Sequence, residues 1–193
     1  MNLIANNCVN SDIYKDILKC NFQNPFCWQI MDDESMFNLI NEYKRINFNS
    51  YELIKDNGWN FSIIIDGKIK VDYVHYRFSE TDTELRIVGS DVFYNKIWEY
   101  IVEKYEKRTK RLYQTNEEPI FIIGSTYKNK FCDLKTIKKM LYLNTNYKII
   151  FVIHNDVTID FNLPENFIIH KTKLINNNQQ LAKELYDKIL KFI

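Results

Sequence analysis

A chain of 193 residues with 26 basic and 25 acidic side chains carries a formal net charge of +1. So close a balance excludes a broad electrostatic footprint for nucleic acid or for an anionic membrane surface. With 15% aromatic residues against 4 glycines and 3 prolines, the composition excludes collagen-like and disordered classes. It fits a single domain, residues 1–193, with a sizeable core.

Met1 to Asn6 reads as a short buried strand. Ile13, Tyr14, Ile17 and Leu18 recur at helical spacing, and Asn7 or Ser11 can cap the helix they mark. Cys8 stands between the two. A thiol at a helix start lies beside the positive end of the dipole and unpaired backbone N–H groups. Those groups lower its pKa and can hold a developing oxyanion. The alternative is a buried cysteine acting as a small hydrophobe. Asn24-Pro25-Phe26-Cys27-Trp28 is a loop, because Pro25 removes a donor and biases Asn24 to extended geometry. Asp32 or Asp33 caps a second helix through Met36, Leu39, Ile40 and Tyr43. Phe61–Ile65 and 68–76 flank Asp66-Gly67, the strongest hairpin signal in the chain. The second arm alternates, with Ile69, Val71, Tyr73 and His75 on one face.

A long helix is expected from about Ser90 or Asp91 to Leu112, striped by Phe93, Ile97, Ile101, Tyr105 and Leu112. Residues 119–124 form a continuous apolar strand, as in a sheet covered on both faces. A helix marked by Leu134, Ile137 and Leu141 follows, then strands over 148–153 and 167–170. Leu181, Leu185 and Ile189 stripe a final helix. This order predicts an α/β fold: a three-layer sandwich with a largely parallel core sheet, plus a β-hairpin in the N-terminal half.

The sequence contains neither GxGxxG nor GxxxxGK[ST], so it offers no dinucleotide or P-loop signature. Cys8, Cys20, Cys27 and Cys132 lack metal-ligand spacing, and no metal site is expected. No stretch approaches the roughly 20 apolar residues of a membrane span, and the N-terminus lacks the pattern of a signal peptide. A cytoplasmic chain with reduced thiols is expected. Among the histidines, His75 closes the hairpin arm, and His154 ends the strand over 148–153, where open parallel sheets gather ligands. Either can serve as a base, and both can equally be satisfied structural histidines. Arg108 interrupts the apolar stripe of the long helix, with Arg111 three residues on. The two guanidinium groups can hold a phosphate or carboxylate, or form ordinary ion pairs with nearby glutamates.

Asn6-Asn7-Cys8, Tyr14, Asn24-Pro25-Phe26 with Trp28, Val74-His75-Tyr76, and Trp98 with Arg108 and Arg111 together resemble one family. It is the bacterial exopolysaccharide-biosynthesis family of uncharacterised domains. The pattern is also similar to papain-like cysteine peptidases and, more faintly, to capsule acetyltransferases that bind coenzyme A. Most of residues 3–155 take part. The chain departs from the peptidase-like pattern at Cys27, where that group tends to carry an acid, which leaves the third catalytic member open.

The resemblance implies a Cys8–His75 pair acting in surface-polysaccharide assembly. Acyl transfer to a sugar or sugar-nucleotide precursor is the first expectation. In it Cys8 is nucleophile, His75 base, Asn6 or Asn7 the oxyanion donor, and Arg108 and Arg111 the holders of a phosphate. No tightly bound cofactor is expected, with coenzyme A as the acyl donor. A cysteine hydrolase would use the same pair with water as acceptor. A non-catalytic sugar or nucleotide-sugar binding module, stacking rings on Trp28 and tyrosines such as Tyr76, is the third expectation.

Overall fold

The computed structural model describes residues 1–7, 9–20, 24–27, 29–55, 61–73, 76–78, 85–87, 93–94, 97–124, 131–173 and 178–191. The core is a four-stranded, all-parallel sheet of Asn2–Ala5 (β1), Pro119–Ile123 (β9), Lys148–His154 (β10) and Phe167–Thr172 (β11), in that spatial order. The apolar runs 3–5, 120–123 and 149–153 are continuous because both faces of the sheet are covered there. On one face Leu3, Ala5, Ile120, Ile122, Ile150 and Val152 meet the C-terminal helix Asn178–Leu190 (α5). On the other, Ile4, Phe121, Ile123, Ile149, Phe151 and Ile153 meet a thicker layer of helices and strands. The chain is therefore an α/β fold with a parallel core sheet.

The thicker layer holds Asp33–Glu42 (α2), Ile97–Gln114 (α3) and Leu134–Met140 (α4). Asp32 caps α2 by accepting Ser35 N–H at 2.7 Å, and Asp133 caps α4 by accepting Thr136 N–H at 2.7 Å. Beside them lies an antiparallel sheet of Ile30–Met31 (β2), Tyr51–Lys55 (β3), Phe61–Ile65 (β4) and Ile69–Asp72 (β5), in the order β2-β5-β4-β3. The hairpin between β4 and β5 turns at Asp66 (φ 52°) and Gly67 (φ 67°). Asp-Gly tolerates this pair of positive φ angles, and Ile69, Val71 and Tyr73 bury one face of the arm as expected. The arm is shorter than predicted, however. It ends at Asp72, and Tyr76–Phe78 (β6) pairs instead with Leu85–Ile87 (β7), which pairs with Phe93–Tyr94 (β8).

Two helices also differ from expectation. The long one starts at Ile97, because Phe93 is spent on the β7–β8 ladder and does not belong to the helical stripe. The first is a four-residue α-turn, Val9–Asp12 (α1), that runs on as a π-helical turn over Ile13–Ile17. Tyr14 fastens that turn to β1: its hydroxyl accepts Leu3 N–H at 2.6 Å and donates to Met1 C=O at 3.0 Å. So short an α segment carries little of the dipole expected beside Cys8. Among the described residues no helix is long and apolar enough to cross a membrane.

Candidate functional site at the carboxyl edge of the parallel sheet

Strands β1 and β9 are neighbours, yet the chain leaves them toward opposite faces. After β1 it enters α1 and the π turn on the α5 face, where Ile13 and Tyr14 are buried. After β9 it leads to α4 on the opposite face, where Ile137 and Met140 are buried. Diverging connections at the carboxyl ends of adjacent parallel strands mark the usual ligand position in open α/β sheets. Asn6, Asn7 and Gly124 occupy this position.

Asn6 is 0% exposed. Its Oδ1 accepts Gly124 N–H at 3.0 Å, its N–H donates to Ile122 C=O, and its C=O accepts Met31 N–H. The Gly124 bond also fixes the amide orientation, since a backbone N–H can only donate. Nδ2 must then point away, and among the described residues it has no hydrogen-bond partner. An unanswered buried donor costs about 1–3 kcal/mol and requires a reason. Gly124 completes the arrangement. A Cβ there would lie 3.2 Å from Val152 Cβ and 3.3 Å from Asn7 Nδ2, so the missing side chain lets Asn7 fold over the end of β9.

Cys8, Trp28 and His75 lie outside the described residues, as does the side chain of Tyr76. Their flanks are described. Asn7 follows β1 and Val9 opens α1; Cys27 and Gln29 are both buried; and Tyr73, two residues before His75, is fully buried. The other thiols are informative by contrast. Burial pushes the Cys27 thiol up to about 11, against the opposing charge of Arg108. It raises Cys132 further still, helped by Asp33 and Asp133. Neither is an effective nucleophile near neutral pH.

The two arginines are not brought together. Arg108 is 2% exposed, and its Nη1 donates to Cys27 C=O at 2.8 Å; Arg111 lies at the surface. The Arg108 fork is thus turned into the protein, toward the loop that Asn24 organises. Asn24 accepts Phe26 N–H at 3.0 Å and donates to Leu3 C=O at 2.7 Å, fixing this loop against β1. His154 ends β10 at the same sheet edge, stacked edge-on against Phe131 at 5.2 Å, with Nδ1 3.1 Å from the Asp156 carboxylate. His170 lies two residues short of the end of β11, where burial lowers its pKa against the pull of Glu184. Among the described residues no cluster of three or more His, Cys, Asp or Glu side chains is placed to hold a metal ion.

Sequence reasoning missed Gly124 and the loop contacts of Arg108. A glycine closing an apolar strand is a visible signal. The partner of Arg108 is 81 residues away and has no local trace. Comparison with family models, with curated proteins and with solved structures found no match.

Proposed function

We propose that the chain carries out cysteine-dependent acyl transfer to a sugar or sugar-nucleotide precursor in surface-polysaccharide biosynthesis. The observation that carries this reading is the buried, unanswered Nδ2 of Asn6, two residues before Cys8. It is a neutral donor held in place before any charge develops, as oxyanion stabilisation requires. The Cys8 thiolate attacks the acyl carbonyl, and the displaced electron pair moves to oxygen, which Asn6 Nδ2 holds. Collapse expels the donor's thiolate, with coenzyme A as the donor, and His75 supplies the proton. A sugar hydroxyl then gives its proton to His75 and attacks the thioester, which frees Cys8. Trp28 and Tyr76 flank the sugar in this reading.

Register supports a shared crevice for the two groups. Met31 N–H donates to Asn6 C=O, and Met31 pairs with Val71 on β5. Asn6 and β5 are therefore separated by two interstrand spacings, about 10 Å. Cys8 follows Asn6 by two residues and His75 follows Asp72 by three. The test is incubation of the full chain with acetyl-coenzyme A, acid quench and peptide mass spectrometry. One hydroxylamine-labile acetyl group is expected on Cys8, and none in Cys8→Ser. Acetylation of Cys20 with Cys8 unmodified would overturn the proposal. Discharge to water at the same rate with and without nucleotide-sugars would convert the reading to a hydrolase.

A further inference from the structure

At the amino edge of the parallel sheet, three clefts of about 400, 440 and 590 Å³ meet at Glu118. Each falls within the roughly 300–1,000 Å³ of small-molecule sites. A hollow between turns is not in itself a site, but the rings in these walls are held in place. Tyr113 is 52% exposed and lines the first cleft. Its hydroxyl accepts Phe48 N–H at 3.1 Å, and its ring lies edge-on to Phe48 at 6.0 Å. Tyr43 lines the first and second clefts, edge-on to Phe48, Phe121 and Tyr147, and its hydroxyl accepts from Asn2 Nδ2 at 3.2 Å. Each hydroxyl is thus an acceptor toward the protein and keeps its own proton to donate. A ring fixed before any ligand arrives has already lost the rotamer freedom that binding would otherwise remove. The polar part of the wall comes from two turns, residues 115–118 between α3 and β9 and residues 141–147 between α4 and β10. They supply the exposed amides of Asn116, in the first cleft, and of Asn146, shared by the second and third. Asn166 pins the second turn by donating to Thr145 C=O at 2.9 Å and to Tyr147 C=O at 2.8 Å. Lys44 meets Glu118 at 3.0 Å and the Met1 ammonium pairs with Glu117, so these charges answer each other.

We propose that the amino edge is a carbohydrate-binding site that takes a neutral oligosaccharide along these clefts. A sugar ring has an apolar C–H face for a tyrosine and a rim of hydroxyls that both donate and accept, as amides and tyrosine hydroxyls do. A chain of such rings suits clefts that meet at one residue, and its lack of charge suits a wall whose ions are already paired. The site lies at the opposite end of the strands from Asn6 and Gly124. No step of the acyl transfer passes through it, so it stands or falls apart from that reading.

The experiment titrates the isotope-labelled full chain with maltotriose, cellotriose, mannotriose and triacetylchitotriose at millimolar concentration, with uridine diphosphate as the charged comparison, and follows backbone amide shifts by NMR. At least one trisaccharide should move the amides of residues 115–118 and 144–147 in a saturable way. Tyr113→Ala should weaken that binding about tenfold, the worth of one well-placed ring. Asn146→Ala should weaken it about fivefold, the worth of one hydrogen bond. Tyr142→Ala is the control, because Tyr142 is 87% exposed and lines none of the three clefts, and it should bind as wild type does. Should Tyr113→Ala not fold, the exposed Asn146→Ala decides alone, and unchanged affinity there overturns the proposal. Equal losses in Tyr113→Ala and Tyr142→Ala overturn it, as does the absence of saturable shifts with all four sugars. Shifts at 115–118 with uridine diphosphate and none with the sugars overturn it in favour of a nucleotide site. Sugar-induced shifts confined to Asn6 and Gly124 overturn it while leaving the acyl-transfer reading standing.

Discussion

The two edges of the parallel sheet differ in kind. At the amino edge the molecule is concave, with clefts of about 400, 440 and 590 Å³ that share Glu118 in their walls. Charges there answer one another: Lys44 meets Glu118 at 3.0 Å, and the Met1 ammonium pairs with Glu117. At the carboxyl edge the described residues form tight packing around Gly124, with a buried amide whose donors go unanswered. Concavity marks where chain ends and turns leave gaps. An unanswered buried donor marks where folding tolerates a cost, which makes the carboxyl edge the better guide to chemistry despite the hollows opposite.

The sharpest way to break this contrast is Asn6→Asp. An aspartate keeps an acceptor for Gly124 N–H, removes the Nδ2 donors, and adds negative charge where negative charge should develop. Acyl transfer to Cys8 should slow by about 10²–10³-fold, the usual loss of one oxyanion donor. Rapid-quench acetylation measures it directly. Asn6→Ala should in addition lose about 1–3 kcal/mol of stability in urea titration, because it leaves Gly124 N–H buried without an acceptor. Wild-type acetylation rates in Asn6→Asp would remove the carboxyl edge from the chemistry.

The same contrast explains what the sequence could and could not reveal. The parallel sheet was legible because strands covered on both faces must be continuously apolar, as 119–123 and 149–153 are. The Asp66-Gly67 turn was legible because few residue pairs accept two positive φ angles. Short elements misled. Phe93 fits a helical stripe and a strand ladder equally well until its partner Arg86 is known. Asn6 was visible as a polar residue ending an apolar strand. That one side of its amide is fixed by Gly124, 118 residues on, has no signature in local sequence. Arg108 was singled out because a charge broke an apolar stripe, a sound signal of burial whose direction only the fold decides.

A smaller effect tests the segment that leaves the carboxyl edge. Asp12, at the end of α1, is buried, with Oδ2 lacking a hydrogen-bond partner among the described residues. Burial first, then Asp16, raises its pKa from 3.8 to about 6, with Lys15 opposing. The folded state therefore holds this proton more tightly than the unfolded chain does. The contribution to stability is fully present below pH 4, fades as pH rises toward 6, and is absent above. Asp12→Asn should raise stability at pH 7 by about 1–2 kcal/mol, allowing for solvent screening, and change it little at pH 4. Urea titrations at the two pH values measure the difference. An equal gain at both would show that the carboxylate charge is not the cause.

The smallest effect belongs to the amino edge. Glu118 lines all three clefts and holds Lys44 there, yet both side chains are largely exposed. An exposed pair pays for its ordering in side-chain entropy and is screened by salt at physiological ionic strength. Removing the charge while keeping the shape, as Glu118→Gln does, should leave Tm and the Cys8 acetylation rate where wild type has them. An unchanged rate is informative because the substitution falls in the walls of all three hollows at once. A fall in acetylation rate with Tm unchanged would mean that the donor or acceptor reaches across the sheet to the amino edge. The large clefts would then belong to the site, and the orphan amide of Asn6 would be only one end of it.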